Sequence, residues 1–184
     1  MAEASEAYQE GRERDAVRIL RPLAKAMPGA PSVRELLGLA LYRSGQYPAA
    51  ATELEAYVEI TGEVDQHPVL MDCARAGRDF AQIDALWREL AEVSPSGELV
   101  TEGRIVLAGS LADRGRLSDA LATLGKRGDS TPKRVKEYHL RLWYAIADLE
   151  ERSGNLPRAR TLFDKVRRAD ASFADVAERL AGLG

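Results

Sequence analysis

Few side chains in this sequence could do chemistry. There are two histidines, His67 and His139, one cysteine, Cys73, and a carboxylate cluster at Asp148, Glu150 and Glu151. A zinc site takes three or four His or Cys ligands, and the chain has three such residues in all, with His67 and His139 far apart. His67 stands just before Pro68 at the head of a helix and His139 lies near Trp143, so each reads as a surface or helix-end residue. Cys73 lies between Met71 and Ala74 on an apolar helix, where a thiol serves as a small hydrophobe; Arg75 and Arg78 are the nearby cations that would have to activate it. Paired carboxylates can act as acid and base, but Asp148, Glu150 and Glu151 have the spacing of a solvated helix face. Arg127-Gly128-Asp129 spells an adhesion tripeptide and reads as a polar turn. The phosphate-cradling G-x-x-x-x-G-K-[ST], the zinc-binding H-E-x-x-H and the nucleophile elbow G-x-S-x-G are all missing from the sequence. The expectation is a protein that is not an enzyme and takes no cofactor and no metal.

The elements are those of an all-α chain. Ala, Leu, Glu and Arg dominate, and all four favour helices. Hydrophobic residues make up 45% of the 184 and charged residues 30%, a globular composition. The net charge of −3 is small, yet residues 126–168 carry twelve Lys or Arg against six Asp or Glu. One cysteine allows no intrachain disulfide, which suits a reducing compartment. The start, MAEASEAYQEG, has neither the basic head nor the apolar core of a secretion signal, and no apolar run approaches the ~20 residues that span a bilayer. A cytoplasmic location with no membrane association is expected. Arg outnumbers Lys 21 to 5, a usage that suggests a GC-rich bacterial genome.

The helices recur as pairs. In 36–58, LLGLALYRSGQYPAAATELEAYV, Leu37, Gly38 and Leu41 share one face, Gly45 ends the helix, and Ala50, Leu54 and Tyr57 share a face of the next. Gly38 and Ala50 leave room for the two helices to cross closely. Gly11 lies 34 residues before Gly45 and is followed by Ala16, Leu20, Leu23 and Pro28 in matching places. Residues 140–171 repeat the pattern through Trp143, Ile146, Ala147, Gly154, Leu156, Ala159 and Phe163, with Ala171 where proline is usual. Residues 101–127 do so through Leu107, Ala108, Leu111, Gly115, Ala120 and Leu124, with a second helix cut short by Gly125 and Gly128. Residues 67–95 give a looser copy with Leu70, Met71, Ala74, a turn at Gly77, Ile83, Trp87, Leu90 and Pro95, and no Ala in the usual place.

This pattern resembles the tetratricopeptide repeat: Leu-Gly in a first helix, a glycine turn, Ala and then a large apolar residue in a second, and a closing proline over 34 residues. The resemblance implies an all-α superhelical solenoid of about five hairpins plus a C-terminal capping helix, in one domain over 1–184. The hairpins fall at about 1–30, 31–64, 65–96, 98–128 and 134–171, and the cap at 172–184, where Phe173, Val176, Ala177, Leu180 and Leu183 form an apolar stripe. An irregular bundle of the same helices is the alternative. In the resembled family the first helices line an inner wall that holds a peptide or a partner's helix. By register the wall positions are Ser32, Glu35, Leu39, Tyr42 and Arg43; Pro68, Asp72 and Arg75; Glu102, Ile105, Gly109 and Asp113; and Arg141, Tyr144, Asp148 and Arg152. Tyr and Arg suit protein contacts, although any solvated helix face carries such residues. Members that clamp a chaperone's C-terminal carboxylate use Lys, Asn and Arg at two inner positions. Here those pairs are Glu35 with Leu39, Pro68 with Asp72, Ile105 with Gly109 and Tyr144 with Asp148, which supply no such clamp.

The expected function is therefore a non-enzymatic interaction scaffold with a protein or peptide partner, its oligomeric state left open. A second candidate surface is basic: Lys133, Arg134, Lys136, Arg158, Arg160, Arg167 and Arg168, with Lys126. It could meet an acidic partner, or nucleic acid in a salt-sensitive way. Nucleic acid ranks below protein, because Trp143 and Phe163 are needed for packing and few aromatics remain for stacking bases. A regulatory or sensor domain of a larger protein is a third reading, and the short first helix is what a chain trimmed from a longer one would have.

Overall fold

The computed structural model describes residues 1–125 and 130–183. Lys126 and the Arg127-Gly128-Asp129 tripeptide lie outside them. The described residues form eleven α-helices and no strand, arranged as five hairpins and a terminal helix, as the repeat pattern predicts. They fall in two compact units, Met1–Pro95 and Ser96–Gly184.

The first unit holds three hairpins: α1 (Ala2–Gln9) with α2 (Glu13–Ala26), α3 (Pro31–Arg43) with α4 (Tyr47–Thr61), and α5 (His67–Ala76) with α6 (Phe80–Val93). Proline stands in the first turn of α3, α4 and α5, where its missing N–H costs no hydrogen bond. Asp79 caps α6 by accepting from the Gln82 N–H at 3.0 Å. Each hairpin turn is closed by two backbone bonds of one pattern. At the second, the Gly45 N–H reaches the Tyr42 carbonyl at 2.9 Å and the Gln46 N–H reaches Leu41 at 2.9 Å. Gly45 takes φ +77°, in the left-handed region where a Cβ is strained.

The packing follows from what sits seven residues before and five after the turn residue. In the second hairpin these are Gly38 and Ala50. An ideal Cβ on Gly38 would stand 2.6 Å from Leu54 Cγ and Cδ2, and 3.4 Å from the Ala50 carbonyl oxygen. The first hairpin places Ala4 and Ala16 there, both fully buried. The third places Met71 and Ile83, also fully buried. It packs the same crossing with bulkier side chains, which is why the expected Ala is missing from its pattern.

The third hairpin also turns one residue later than the sequence pattern indicates. Gly77 is right-handed, and Arg78 takes the left-handed position at φ +59°. The Arg78 and Asp79 N–H groups make the turn bonds, to Arg75 and Ala74. The glycine is thus one place early, and a side chain carries the strain. A non-glycine residue held left-handed costs about 1–2 kcal/mol. Arg78→Gly is expected to stabilise the first unit by about 1 kcal/mol, after the loss of the guanidinium contact 5.5 Å from the Phe80 ring. A rise of a few degrees in the thermal midpoint is the readout; an unchanged or lowered midpoint would contradict the argument.

The second unit holds α7 (Gly97–Asp113) with α8 (Leu117–Leu124), α9 (Glu137–Arg152) with α10 (Leu156–Ala169), and α11 (Val176–Gly182). Ser96 caps α7 by accepting from the Leu99 N–H at 3.1 Å. The second helix of its first hairpin is short, eight residues, and ends at Gly125. Trp143, Ile146, Phe163 and Val166 form the centre of its core, and Val176 closes that core from α11.

Candidate functional site

Side chains on the first helices of the first unit are linked from helix to helix. The Tyr42 hydroxyl on α3 donates to Asp72 on α5 at 2.6 Å, and Asp72 lies 3.9 Å from the Arg75 guanidinium. Arg43 reaches the other way. Its guanidinium sits 4.0 Å from the centroid of the Tyr8 ring on α1, and its Nη1 donates to the Tyr8 carbonyl at 3.4 Å. Gln66, just before α5, donates to Glu35 at 2.8 Å. Tyr42, Glu35, Asp72 and Arg75 are half-buried and Arg43 is exposed. Burial, then the bond to Asp72, pushes the Tyr42 phenol up, so it stays protonated and donates. Sequence reasoning overlooked Tyr8, although it precedes Tyr42 by one 34-residue repeat and the register points to it. Pro68 departs from its inner-wall assignment: it is buried in the first turn of α5.

In the second unit α11 follows the last hairpin, packs against α10 and is bonded to side chains of α9. The Tyr144 hydroxyl bonds to the Asp175 carboxylate. Arg179 donates from Nη2 to Asp148 at 2.9 Å and to Glu151 at 2.7 Å, and from Nη1 to the Tyr144 hydroxyl at 3.3 Å. Its guanidinium also stands 4.8 Å from the Phe163 ring centroid. Burial works against the Arg179 charge, but the bonds to Glu151 and Asp148 more than offset it and its pKa is raised. Tyr144 is pushed up to about 12 by burial and by Asp175. Arg152 pairs with Asp148 at 3.6 Å. Arg141 lies 3.6 Å from Glu102, whose carboxyl is raised by burial while Arg141 opposes the shift. Ile105 packs against the core cluster, and Asp113 is exposed.

The carboxylate cluster is not a solvated face, as its spacing suggested. Asp148 and Glu151 are held by Arg179, and Glu150 is buried. Glu150 accepts from Asn155 Nδ2 at 2.8 Å and pairs with Arg158 Nε at 2.7 Å. His67 is a helix-end residue, at the first position of α5, but not a surface one: it is 1% exposed, with Nε2 3.0 Å from Glu89. His139 serves a helix end too, its Nδ1 accepting from the Lys136 N–H at 3.0 Å. Cys73 is buried and pushed up to about 12 by burial first and then by Asp72, so its thiol stays protonated and inert at neutral pH.

Much of the basic surface is paired. Arg167 and Arg168 both grip Asp164, at 2.6 and 2.7 Å, and the Arg167 bond leads in holding that carboxyl below its usual range. Lys136 lies 3.5 Å from Glu98. Lys133, Arg134 and Arg160 are exposed, with no ion-pair partner among the described residues. Trp143 is buried and Lys165 Nζ sits 4.1 Å from its ring centroid, so that ring offers no stacking platform. Among the described residues there is no group of three or more His, Cys, Asp or Glu that could hold a metal, and no helix long and apolar enough to cross a membrane.

Comparison with known proteins agrees with this geometry. Residues 1–65 match the tetratricopeptide repeat family. No curated protein matches the chain by sequence. Among solved structures, a thermophilic tetratricopeptide repeat protein of Thermus thermophilus superposes with a TM-score of 0.76 at 17% identity, covering 100% of this chain and 96% of its own. The protein MamA superposes at 0.63 with 19% identity, covering 97% and 96%. At such identities the likeness is one of fold. Residues 1–65 carry the tetratricopeptide repeat by sequence, and the described remainder shares the fold of these solved repeat proteins.

Proposed function

We propose that the chain is a non-enzymatic protein-interaction module that receives a peptide or a partner's segment on the first-helix wall of its first unit. One observation carries this reading: Tyr8, Arg43, Tyr42, Asp72 and Arg75 are tied across the first helices of three successive hairpins while remaining partly exposed. Large side chains already held in place lose little rotamer freedom on docking, and Tyr and Arg are the residue types that dominate contact energies. The repeat fold supports it, since stacked hairpins present such walls to partners. We place the protein in the cytoplasm, where its one buried thiol suits reducing conditions.

The test is affinity capture with the full chain, followed by titration of the partner recovered. Tyr42→Ala is expected to weaken binding at least about tenfold, with helical content unchanged. Arg160→Ala, on the outer helix of the last hairpin, is expected to leave it alone. A partner indifferent to Tyr42 and Arg43, or one displaced by salt and by Arg167→Ala/Arg168→Ala, would overturn the reading and favour a polyanion at the basic surface.

A further inference from the structure

The last hairpin of the second unit is capped by the chain itself, through packing on α10 and side-chain bonds to α9, and the cap is thin. Helix α11 is seven residues long and buries only Val176. Phe173, Leu180 and Leu183 are partly buried beside it. The rest of its hold is polar: Asp175 on Tyr144, and Arg179 on Asp148, Glu151 and Tyr144. The connection to α10 contains Ala174 in the left-handed region at φ +47°, a strain that release would relieve. A segment with so little apolar burial opens at far lower cost than the hairpin beneath it.

The end face it caps is well formed. Two carboxylates and a phenol converge on one guanidinium, over the face of Phe163 and beside Tyr144. With Arg179 gone, Asp148 keeps the longer Arg152 contact while Glu151 loses its guanidinium, so an empty site favours whatever brings one back. The arrangement parallels the first unit, where the Tyr42 hydroxyl meets Asp72 from the next first helix.

We propose that the end face of the last hairpin, formed by α9 and α10, is a docking site for an amphipathic helix of a partner protein that carries an acidic residue and, one turn later, an arginine, and that α11 is its resident, displaceable occupant. The incoming acidic side chain takes the place of Asp175 on Tyr144, its arginine takes the place of Arg179 between Asp148 and Glu151, and apolar residues of its inner stripe replace Val176 and Phe173. The idea rests on the reading that the repeats receive partner segments, but it concerns the end of the last hairpin and not the first unit's wall, so the two can fail separately.

The probe is a fluorescent synthetic peptide of residues 170–184, titrated into the full chain by anisotropy. The wild-type chain binds it weakly, because its own helix competes. Arg179→Ala in the chain, which weakens the resident helix, is expected to tighten peptide binding about tenfold or more. The same peptide bearing Arg179→Ala is expected not to bind, and Asp148→Asn/Glu151→Gln in the chain to abolish binding. Hydrogen exchange on the wild-type chain gives a second measure: amides of 176–182 are expected to exchange far faster than those of α9. Peptide binding absent from a folded Arg179→Ala chain, or blind to the peptide's arginine, would overturn the proposal, as would α11 amides protected like those of α9. A wild-type dimer lost with Arg179→Ala would overturn a partner's helix as occupant and give the site to a second copy. If the peptide fails while partner capture still depends on Tyr42, only this inference falls.

Discussion

Gly38→Ala lowers the stability of the first unit by up to about 2 kcal/mol, and Gly38→Val by about 3 kcal/mol or more. The added Cβ would stand 2.6 Å from two carbons of Leu54, a side chain with no exposure at all and no room to swing aside. Overpacking of this kind costs about 1–3 kcal/mol, against which alanine's better helix propensity returns about 1. Valine adds two further carbons and a β-branched restriction in mid-helix. The decisive measurement is a double-mutant cycle. Leu54→Ala alone is expected to cost about 2–5 kcal/mol through the cavity it leaves. Combined with Gly38→Ala, the new methyl group enters that cavity, so the pair costs about 1–2 kcal/mol less than the two singles added. Urea midpoints followed by circular dichroism supply all four corners. Strict additivity would mean that the approach of α3 to α4 is not what requires glycine at 38.

This crossing was legible in the sequence because a small residue beside a bulky one, recurring after 34 residues, is what a closely crossed helix pair demands of each repeat. Ala4 and Gly38, Ala16 and Ala50, Gly11 and Gly45 carried the first two hairpins almost unaided. The third was harder for a physical reason. Its crossing is filled by Met71 and Ile83 and its turn by Arg78, so the two signals that mark a repeat, smallness and glycine, are both displaced.

The candidate walls were legible as positions but not as states. Helical register placed Tyr42, Asp72, Tyr144 and Asp148 on first-helix faces, yet register cannot say which of them are already engaged. Asp175 and Arg179 come from a segment that reads only as an apolar stripe, Phe173 to Leu183, and charged residues between apolar ones look alike whether solvated or paired. That polar side is what separates the two units. In the first, Tyr42 and Arg43 bond within the repeat array and remain partly exposed. In the second, the equivalent wall is bonded to the chain's own last helix.

Glu150 shows the same limit from the other side, and it carries the second large effect. Three neighbouring carboxylates suggested a solvated face, but the turn-based register gives a different answer. Four residues before each turn residue stand Ala7, Leu41, Ala74, Leu111 and Glu150, and all five are buried. Glu150 therefore occupies a core position that the other hairpins fill with apolar side chains. It is tolerated there because Arg158 reaches it at 2.7 Å and Asn155 at 2.8 Å. Breaking such a pair from one side is expected to cost more than removing it. Arg158→Met keeps the aliphatic stem and strands the Glu150 carboxylate, whose side chain is 12% exposed. Because Arg158 itself is 38% exposed and water can reach part of the site, the loss is discounted to about 2 kcal/mol. Glu150→Leu restores the apolar residue of the other hairpins and removes a carboxylate from Arg158 and the exposed Asn155, both of which water reaches. It is expected to be neutral or to stabilise by about 1 kcal/mol. In the Glu150→Leu background, Arg158→Met should then cost about 1 kcal/mol or more less than it does in the unchanged chain. If Glu150→Leu instead destabilises as much as Arg158→Met does, the ion pair holds the last hairpin together and is more than a charge accommodated in a core position.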